Sequence, residues 1–383
     1  MSSTTAEPTP TVAAARLSGW LGHLGVSPAA FDDTVGLFNP LLTVHRLHAR
    51  VVERIQETPT AISLVLQAGP AFRGVRPGQF VMIGLSIRGV RHRRAYSPRA
   101  IPGQPGRFAI TVQRQPGGLV SAHIHEEVRV GQVIEIEQAG GDFTLPAQLP
   151  DQLLLIAGGS GITPGMAMIQ HLQATQARTR VTLLYFARSA QDRIFGKQLE
   201  ALAKAWPQLR YVPLDSVANT NGEPGRAGSA SSQAVVLDRA LLDAQLPQWA
   251  QTETYCCGPA PLMDAARLLF DQAGARQRLH LEAFAVARPD GDPNARHAVT
   301  IARAGQTQRF DAAGNLTILV AGEQAGHAIK HGCRQGICHE CTCRLNQGAV
   351  KDLATGEVIA AEGQTIRVCV TAALTDLDLE SLS

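Results

Sequence analysis

The run Gly332-Cys333-Arg334-Gln335-Gly336-Ile337-Cys338-His339-Glu340-Cys341 spaces its cysteines C-x4-C-x2-C, and Cys369 follows 28 positions later. That spacing suits a 2Fe–2S cluster, in which four soft thiolates surround two irons and three of them come from one tight loop. Gly332 and Gly336 let the backbone turn back so that N–H groups face the sulfurs, which helps to set a reduction potential. A zinc site would call for paired C-x2-C knuckles, and only one such pair is present. A Rieske centre would replace two cysteines with histidines. Four cysteines are already in place, so His339 reads as a surface or supporting residue. Cys333, Cys338, Cys341 and Cys369 are therefore the expected ligands. Cys343, at the start of an apparent strand (TCRLN), reads as a core residue.

The wider composition agrees with a redox protein of several domains. At roughly 150 residues per domain, 383 residues suggest two or three. The chain is 45% hydrophobic and 17% charged, with a formal net charge of +3, and no strongly basic segment marks it for nucleic acid. The longest apolar runs, such as Leu153–Ala157, suit buried strands and are too short to span a bilayer. All seven cysteines lie after residue 255, a clustering that reads as ligation in a reducing, cytoplasmic setting rather than a disulfide framework. The N-terminus MSSTTAEPTPTVAAARL has no basic segment leading into an apolar one, so a signal peptide is not expected.

Residues 1–42 read as a lead-in with a short amphipathic helix near Ala13–Leu24. From 43 to 149, short β-branched runs (VHRLHARVVERIQE, AISLVLQA, QFVMIGLSI, FAITVQR, QVIEIEQA) alternate with turn signals, the pattern of a small antiparallel β-barrel. From 150 to 283 the rhythm changes to strand–helix alternation, an α/β domain with a parallel sheet. Asn219–Ser232 reads as a surface loop and 284–296 as a linker. A third domain, α+β in class, spans 297–383. In it HAVTIARAGQTQRFDA forms a hairpin, and LTILVAGEQAG forms a helix capped by Asn315 and ended by Gly326.

In the first of these domains Arg94, Tyr96 and Ser97 offer a cation, an aromatic ring and a hydroxyl within one strand. Such a set suits a flavin's phosphate, its ring system and its N5. Gly117-Gly118-Leu119-Val120-Ser121 opens an apparent helix, and a glycine-led helix start suits a pyrophosphate. In the α/β domain Gly158-Gly159-Ser160-Gly161-Ile162-Thr163-Pro164 joins a strand to a helix. Glycines allow close approach to phosphates, Thr163 can cap the helix and Pro164 suits its first turn. The run is neither G-x-G-x-x-G nor G-x-S-x-G, so neither a Rossmann dehydrogenase nor a serine hydrolase is indicated. Arg188 and Ser189, with Arg193 and Lys197 beyond, suit an adenosine 2′-phosphate, which favours NADPH with NADH as the alternative.

Taken together, residues 43–284 resemble the ferredoxin–NADP reductase superfamily, on RAYS (94–97), the glycine–serine segment after it and GGSGITP. Residues 297–383 resemble the plant-type ferredoxin domain, a β-grasp fold, on GCRQGICHEC; GAVKDLATGE is similar to its reductase-linked branch. The resemblance implies flavin binding by Arg94, Tyr96, Ser97, Gly117, Gly118, Val120 and Ser121. It implies nucleotide binding by Gly159, Ser160, Gly161, Thr163, Pro164, Arg188 and Ser189. Cys257-Gly258-Pro259 is similar to a motif whose cysteine lies beside the nicotinamide, Cys256 being a core neighbour. Glu282 and Phe284 resemble the terminal E-x-F, whose Phe lies near the flavin. Gly140-Gly141-Asp142-Phe143 is similar to the FAD-binding members, whereas FMN-binding ones tend to have Asn before that Phe.

These modules imply an enzyme in which NADPH reduces FAD, the flavin passes single electrons to the 2Fe–2S cluster, and the cluster serves a partner protein. Tyr96, Ser97 and Cys257 would stand nearest the reacting atoms. The segments FNPLLTVHRLHARV and GVRHRRAYSP are similar to reductases of membrane di-iron fatty-acid desaturases and hydroxylases. The alternatives are an FMN- and NADH-dependent reductase of a Rieske dioxygenase or demethylase, a reductase for a hybrid-cluster protein, and a redox-sensing electron carrier without nucleotide turnover.

Overall fold

A computed structural model describes residues 28–216, 235–284, 289–303 and 305–382. The helix expected near Ala13–Leu24 and the loop expected at Asn219–Ser232 lie outside the described residues. In chain order come helix α1 (Pro28–Phe38) and strands β1 (His48–Thr58), β2 (Ala61–Ala68), β3 (Val81–Ile87), β4 (Val90–Tyr96), β5 (Pro98–Ala100) and β6 (Arg107–Gln113). Helix α2 (Leu119–Glu126) and strand β7 (Val133–Ile136) complete the first set.

These seven strands form one sheet in the order β4-β3-β7-β1-β2-β6-β5, with antiparallel pairing. Alternation along the strands sends Val51, Ile62, Leu64, Leu66, Ile83, Phe108 and Ile110 into a shared core. Arg88 and Gly89, both at positive φ (52° and 79°), make the tight two-residue turn between β3 and β4. The basic run around Arg91–Arg94 is thus a hairpin arm at the sheet edge.

The α/β part contains β8 (Gln152–Gly158), α3 (Ile162–Ala174), β9 (Arg180–Ala187), α4 (Gly196–Ala205), β10 (Leu209–Asp215), α5 (Arg239–Gln245), β11 (Glu253–Cys257), α6 (Ala260–Gln272) and β12 (Leu279–Glu282). Its sheet runs β10-β9-β8-β11-β12, and β8, β9 and β10 pair in parallel. Strand order reverses beside β8, so the loop leaving β8 sits at the switch point where α/β sheets take their ligands.

The C-terminal part holds β13 (Arg296–Arg303), β14 (Gln306–Ala313), α7 (Ile318–Gln324), β15 (Thr342–Gln347), β16 (Val350–Asp352), β17 (Val358–Ile359), β18 (Thr365–Arg367), β19 (Thr371–Ala373) and β20 (Leu377–Ser381). The five-stranded sheet β14-β13-β20-β15-β18 carries the expected β13–β14 hairpin and a parallel β13–β20 pair. Helix α7 packs over it through Ile318, Leu319 and Ala321. Its cap is Thr317, whose hydroxyl accepts from Val320 N at 3.3 Å, and not Asn315. Thr317 stands directly before the first helical residue, where its oxygen reaches an orphan N–H. Gly326, at φ 83°, follows the helix end as expected.

By internal contacts the chain divides into two units, Met1–Cys256 with Leu269–His280 and Cys257–Leu268 with Leu281–Ser383. No helix among the described residues is long and apolar enough to cross a membrane.

Candidate functional site

Arg94 and Tyr96 lie on β4, two residues apart, opposite Ile83 and Val81 of β3. Tyr96 packs against the barrel core, and burial pushes its phenol well above the ordinary range, so it stays protonated. Ser97, between β4 and β5, is buried, and its Oγ has no hydrogen-bond partner among the described residues. A buried, unsatisfied hydroxyl costs free energy unless something not yet placed meets it. A flavin with its ring oxygens and nitrogens would do so, and the donor set fits that group.

Gly117 takes φ 69°, with open space where a Cβ would stand, and Gly118 is the N-cap of α2 with no side chain serving the helix N–H groups. Those amides remain for an anion. Ser121, expected as a ligand, is committed locally: its Oγ accepts from Gln115 N at 3.1 Å and donates to Gly118 O at 3.2 Å. It shapes the turn. Val120 is buried in the barrel core. Farther on, the Gly140–Phe143 segment is anchored by a bridge from Gly140 to Phe80, and Phe143 meets Tyr255 edge-on at 5.2 Å between centroids.

The loop after β8 is a single 3-10 turn, Gly159–Gly161, with Gly159 at φ 54°. Helix α3 starts at Ile162 with Gly161 as its cap residue. Thr163 does not cap it: one position inside the helix, its hydroxyl donates back to Ser160 O at 3.0 Å. Pro164 lies in the first turn, as expected. At the carboxyl end of β9, Arg188 pairs with Asp192 at 2.9 Å, and the same carboxylate accepts from Ser189 Oγ at 2.9 Å. The Arg188 side chain is 64% exposed and so open to a ligand. Arg193 is instead engaged by Asp215.

Cys257 closes β11 and is buried, as is Cys256. Gly258 and Pro259 lead into α6. Glu282 ends β12, with Oε2 buried and without a partner among the described residues. Desolvation raises its carboxyl to about 8, so it holds its proton at neutral pH.

In the second unit the cysteine loop brings the four expected ligands together as two pairs. Cys333 N donates to Cys338 Sγ at 3.2 Å, the Cys338 thiol also bonds Cys333, and Cys341 Sγ lies 3.2 Å from Cys369 Sγ. Among the described residues no three His, Cys, Asp or Glu gather as one metal ion requires. Two thiol pairs are instead what two irons would take, two thiolates to each. The backbone supports this donor set. The N–H groups of Gln335, Ile337 and Cys338 aim at Cys333, and that of Gly336 at Cys369. A Cβ on Gly332 would stand 2.9 Å from Cys338 Sγ, so glycine is required for that approach. Cys343 belongs to the core of this part, and burial pushes its thiol up to about 12.

The loop is held from outside as well. Arg334 forks onto Glu323 of α7, Arg367 donates to Gly336 O at 2.6 Å, and Gln335 Nε2 donates to Phe284 O at 2.6 Å. His331 Nδ1 faces Ile329 O at 2.8 Å and its Nε2 faces Arg334 at 2.9 Å.

Comparison with known proteins agrees with this reading. The family model for the oxidoreductase FAD-binding domain matches residues 49–145, that for the oxidoreductase NAD-binding domain residues 155–268, and that for the 2Fe-2S iron-sulfur cluster binding domain residues 301–374. An NADPH oxidoreductase of Mycobacterium tuberculosis is 35% identical over 381 residues, 97% of this chain and 95% of the relative. The chain belongs to the ferredoxin–NADP reductase superfamily. Within it, this is the branch that carries a C-terminal plant-type 2Fe–2S domain, and the chain is an NAD(P)H-dependent oxidoreductase with FAD and a 2Fe–2S cluster as cofactors. A glycine betaine monooxygenase reductase subunit of Chromohalobacter salexigens is 30% identical over 364 residues, 88% of this chain and 97% of that one. Phthalate dioxygenase reductase shares the fold, with a TM-score of 0.58 at 23% identity over 88% of this chain and 98% of that structure.

Two residues whose side chains tie these loops together were not visible as such in the sequence. Tyr185 sits inside the apolar run VTLLYFA and reads there as core. Gln335 lies between two of the expected ligands, and nothing in GCRQGICHEC shows that its side chain reaches Phe284.

Proposed function

We propose that this reductase draws electrons from NADPH and delivers them singly, through FAD and the 2Fe–2S cluster, to a separate iron-containing oxygenase or desaturase. The cofactors supply the redox chemistry: two electrons enter together and leave one at a time. The protein's own residues bind and orient. Arg94, Tyr96 and Ser97 would hold the flavin, with the buried Ser97 hydroxyl as its partner. Gly117 and Gly118 would open the amides of α2 to the pyrophosphate. Cys257, Gly258, Pro259 and Phe284 would border the nicotinamide and flavin rings. Cys333, Cys338, Cys341 and Cys369 would hold the cluster. The observation that carries the reading is the two thiol pairs, donor-lined and braced by Arg334, Gln335 and Arg367, in one chain with the nucleotide loop.

Arg188, exposed beside Ser189, supports NADPH, as does the name of the Mycobacterium tuberculosis relative. The expected outcome is a higher kcat/KM for NADPH than for NADH in cytochrome c reduction. Arg188→Ala should lower the NADPH value about tenfold, the worth of a charge-assisted contact of about 1.4 kcal/mol, with little effect on NADH. Equal use of both nucleotides by the parent would remove the NADPH reading, and no turnover with either would remove the enzyme reading.

For the acceptor, the segments 38–51 and 89–98 favour a membrane di-iron desaturase or hydroxylase. The glycine betaine monooxygenase reductase relatives favour a second reading, an oxygenase component of that kind. NADPH-driven turnover with each acceptor in parallel separates the two: desaturation of an acyl substrate supports the first, and oxygenation of glycine betaine alone supports the second.

A further inference from the structure

Tyr185 is fully buried near the end of β9, yet its hydroxyl is doubly engaged. It donates to Gly159 O at 3.1 Å and accepts from Ile194 N at 3.0 Å. The first partner belongs to the glycine loop after β8, and the second closes the loop that carries Arg188 and Ser189. One oxygen therefore ties together the two segments read above as holding the nucleotide's phosphates.

The bond to Gly159 has a directional consequence. In a planar trans peptide the carbonyl and the N–H point opposite ways. With Gly159 O turned to Tyr185, and also serving Ile162 N, the N–H of Ser160 faces away from the protein interior. Thr163 braces the next peptide: its hydroxyl donates to Ser160 O at 3.0 Å. Two hydroxyls thus brace the loop from behind, and that of Tyr185 leaves the Ser160 amide facing forward.

The other end is equally constrained. Ile194 and Phe195 are buried, and Phe195 takes φ 61°, a left-handed conformation that a bulky residue adopts only when held there. Arg99 lies over its ring at 5.3 Å, and Arg193 is fixed by Asp215. These pins flank the Arg188–Asp192 turn, and the Tyr185 hydroxyl ties the end of its loop to Gly159.

We propose that Tyr185 is a positioning residue that locks the Gly159–Gly161 loop to the Arg188–Ile194 loop, so that both grip one 2′-phosphorylated dinucleotide as a unit. This rests on the NADPH reading of Arg188. Tyr185→Phe keeps the ring and removes only the oxygen. In the loaded enzyme, its dissociation constant for NADP+ by calorimetry should rise about fivefold to thirtyfold, the equivalent of about 1–2 kcal/mol. KM for NADPH should rise alongside, with kcat at saturation within about twofold. Combined with Arg188→Ala, the losses should fall short of additive, because the two residues act on one loop. Amide exchange across 188–196 in the unliganded variant should be faster than in the parent.

An unchanged dissociation constant with unchanged exchange overturns the proposal. So does a fall in kcat at constant KM, which is the mark of a general loss of structure. Strict additivity with Arg188→Ala overturns the coupling. If Arg188→Ala alone leaves NADP+ binding intact, the NADPH reading fails while the Tyr185 effect on binding and exchange still stands on its own measurement.

Discussion

Glu282 is a buried carboxyl with nothing among the described residues to meet one of its oxygens. Its Oε2 is buried without a partner, and desolvation lifts its carboxyl from 4.5 to about 8. A group whose folded pKa is raised binds its proton more tightly in the folded state. The stabilisation it gives is complete in acid below about 4.5 and is lost as pH climbs through about 8. Glu282→Gln stays neutral throughout. The melting temperature of the variant should therefore gain on the parent between about pH 4.5 and about pH 8, with the gap constant above that, read by scanning calorimetry. Parallel curves would show that the carboxyl is not buried as described.

Single residues also show where sequence reading stops. Cysteine spacing points to the expected ligands because four thiols in that order have few other uses. Glu282 stood out as part of a resemblance, but its missing partner is a property of packing that no spacing encodes. Tyr185 was hidden because an aromatic residue in VTLLYFA satisfies the apolar pattern whether or not its hydroxyl is working. Thr163 looked like a cap, and its hydroxyl turned out to face the carbonyl of Ser160.

Among elements, loops are fixed by side chains that reach back to the backbone. Asp32 of α1 is the clearest case: its carboxylate accepts from Val44 N, His45 N and Arg46 N at 2.8–2.9 Å, and it is buried. This one residue sets how the chain enters β1, and nothing near AFDDT marks it in the sequence. Asp32→Ala leaves three donors unserved. It should destabilise the protein by about 2–4 kcal/mol in urea unfolding, against the half-unit changes usual at surface positions. A shift below about 0.5 kcal/mol would mean water replaces the carboxylate at no cost.

Gln335 does for the cluster loop what Asp32 does for β1. Its side chain grips Phe284 O, and its own N–H faces Cys333 Sγ at 3.3 Å. Under the proposed function it joins the segment that carries Phe284 to a cluster ligand. Gln335→Ala should slow cluster reduction several-fold in stopped-flow absorbance, with flavin reduction by NADPH unchanged. Equal slowing of both steps would place Gln335 outside the path. Element order was largely legible, because strand–helix alternation and turn glycines survive as pattern. The α7 cap was not: Asn315 and Thr317 are equally good cap types two positions apart, and only the helix start at Ile318 chooses between them.

At the scale of the whole molecule, three modules in one chain make a current with an order: nucleotide, flavin, cluster, acceptor. Cys338→Ser removes one member of the Cys333 pair and leaves the flavin and nucleotide residues untouched. The most direct test is anaerobic stopped-flow reduction by NADPH of the parent and of this variant, followed at flavin and cluster wavelengths and paired with steady-state ferricyanide and protein-acceptor assays. The account predicts flavin bleaching before cluster bleaching in the parent. In Cys338→Ser it predicts flavin reduction and ferricyanide turnover near parental values, with cluster bleaching and delivery to a protein acceptor abolished. Cluster reduction ahead of the flavin in the parent, or loss of ferricyanide turnover together with acceptor delivery in a folded variant, would contradict it.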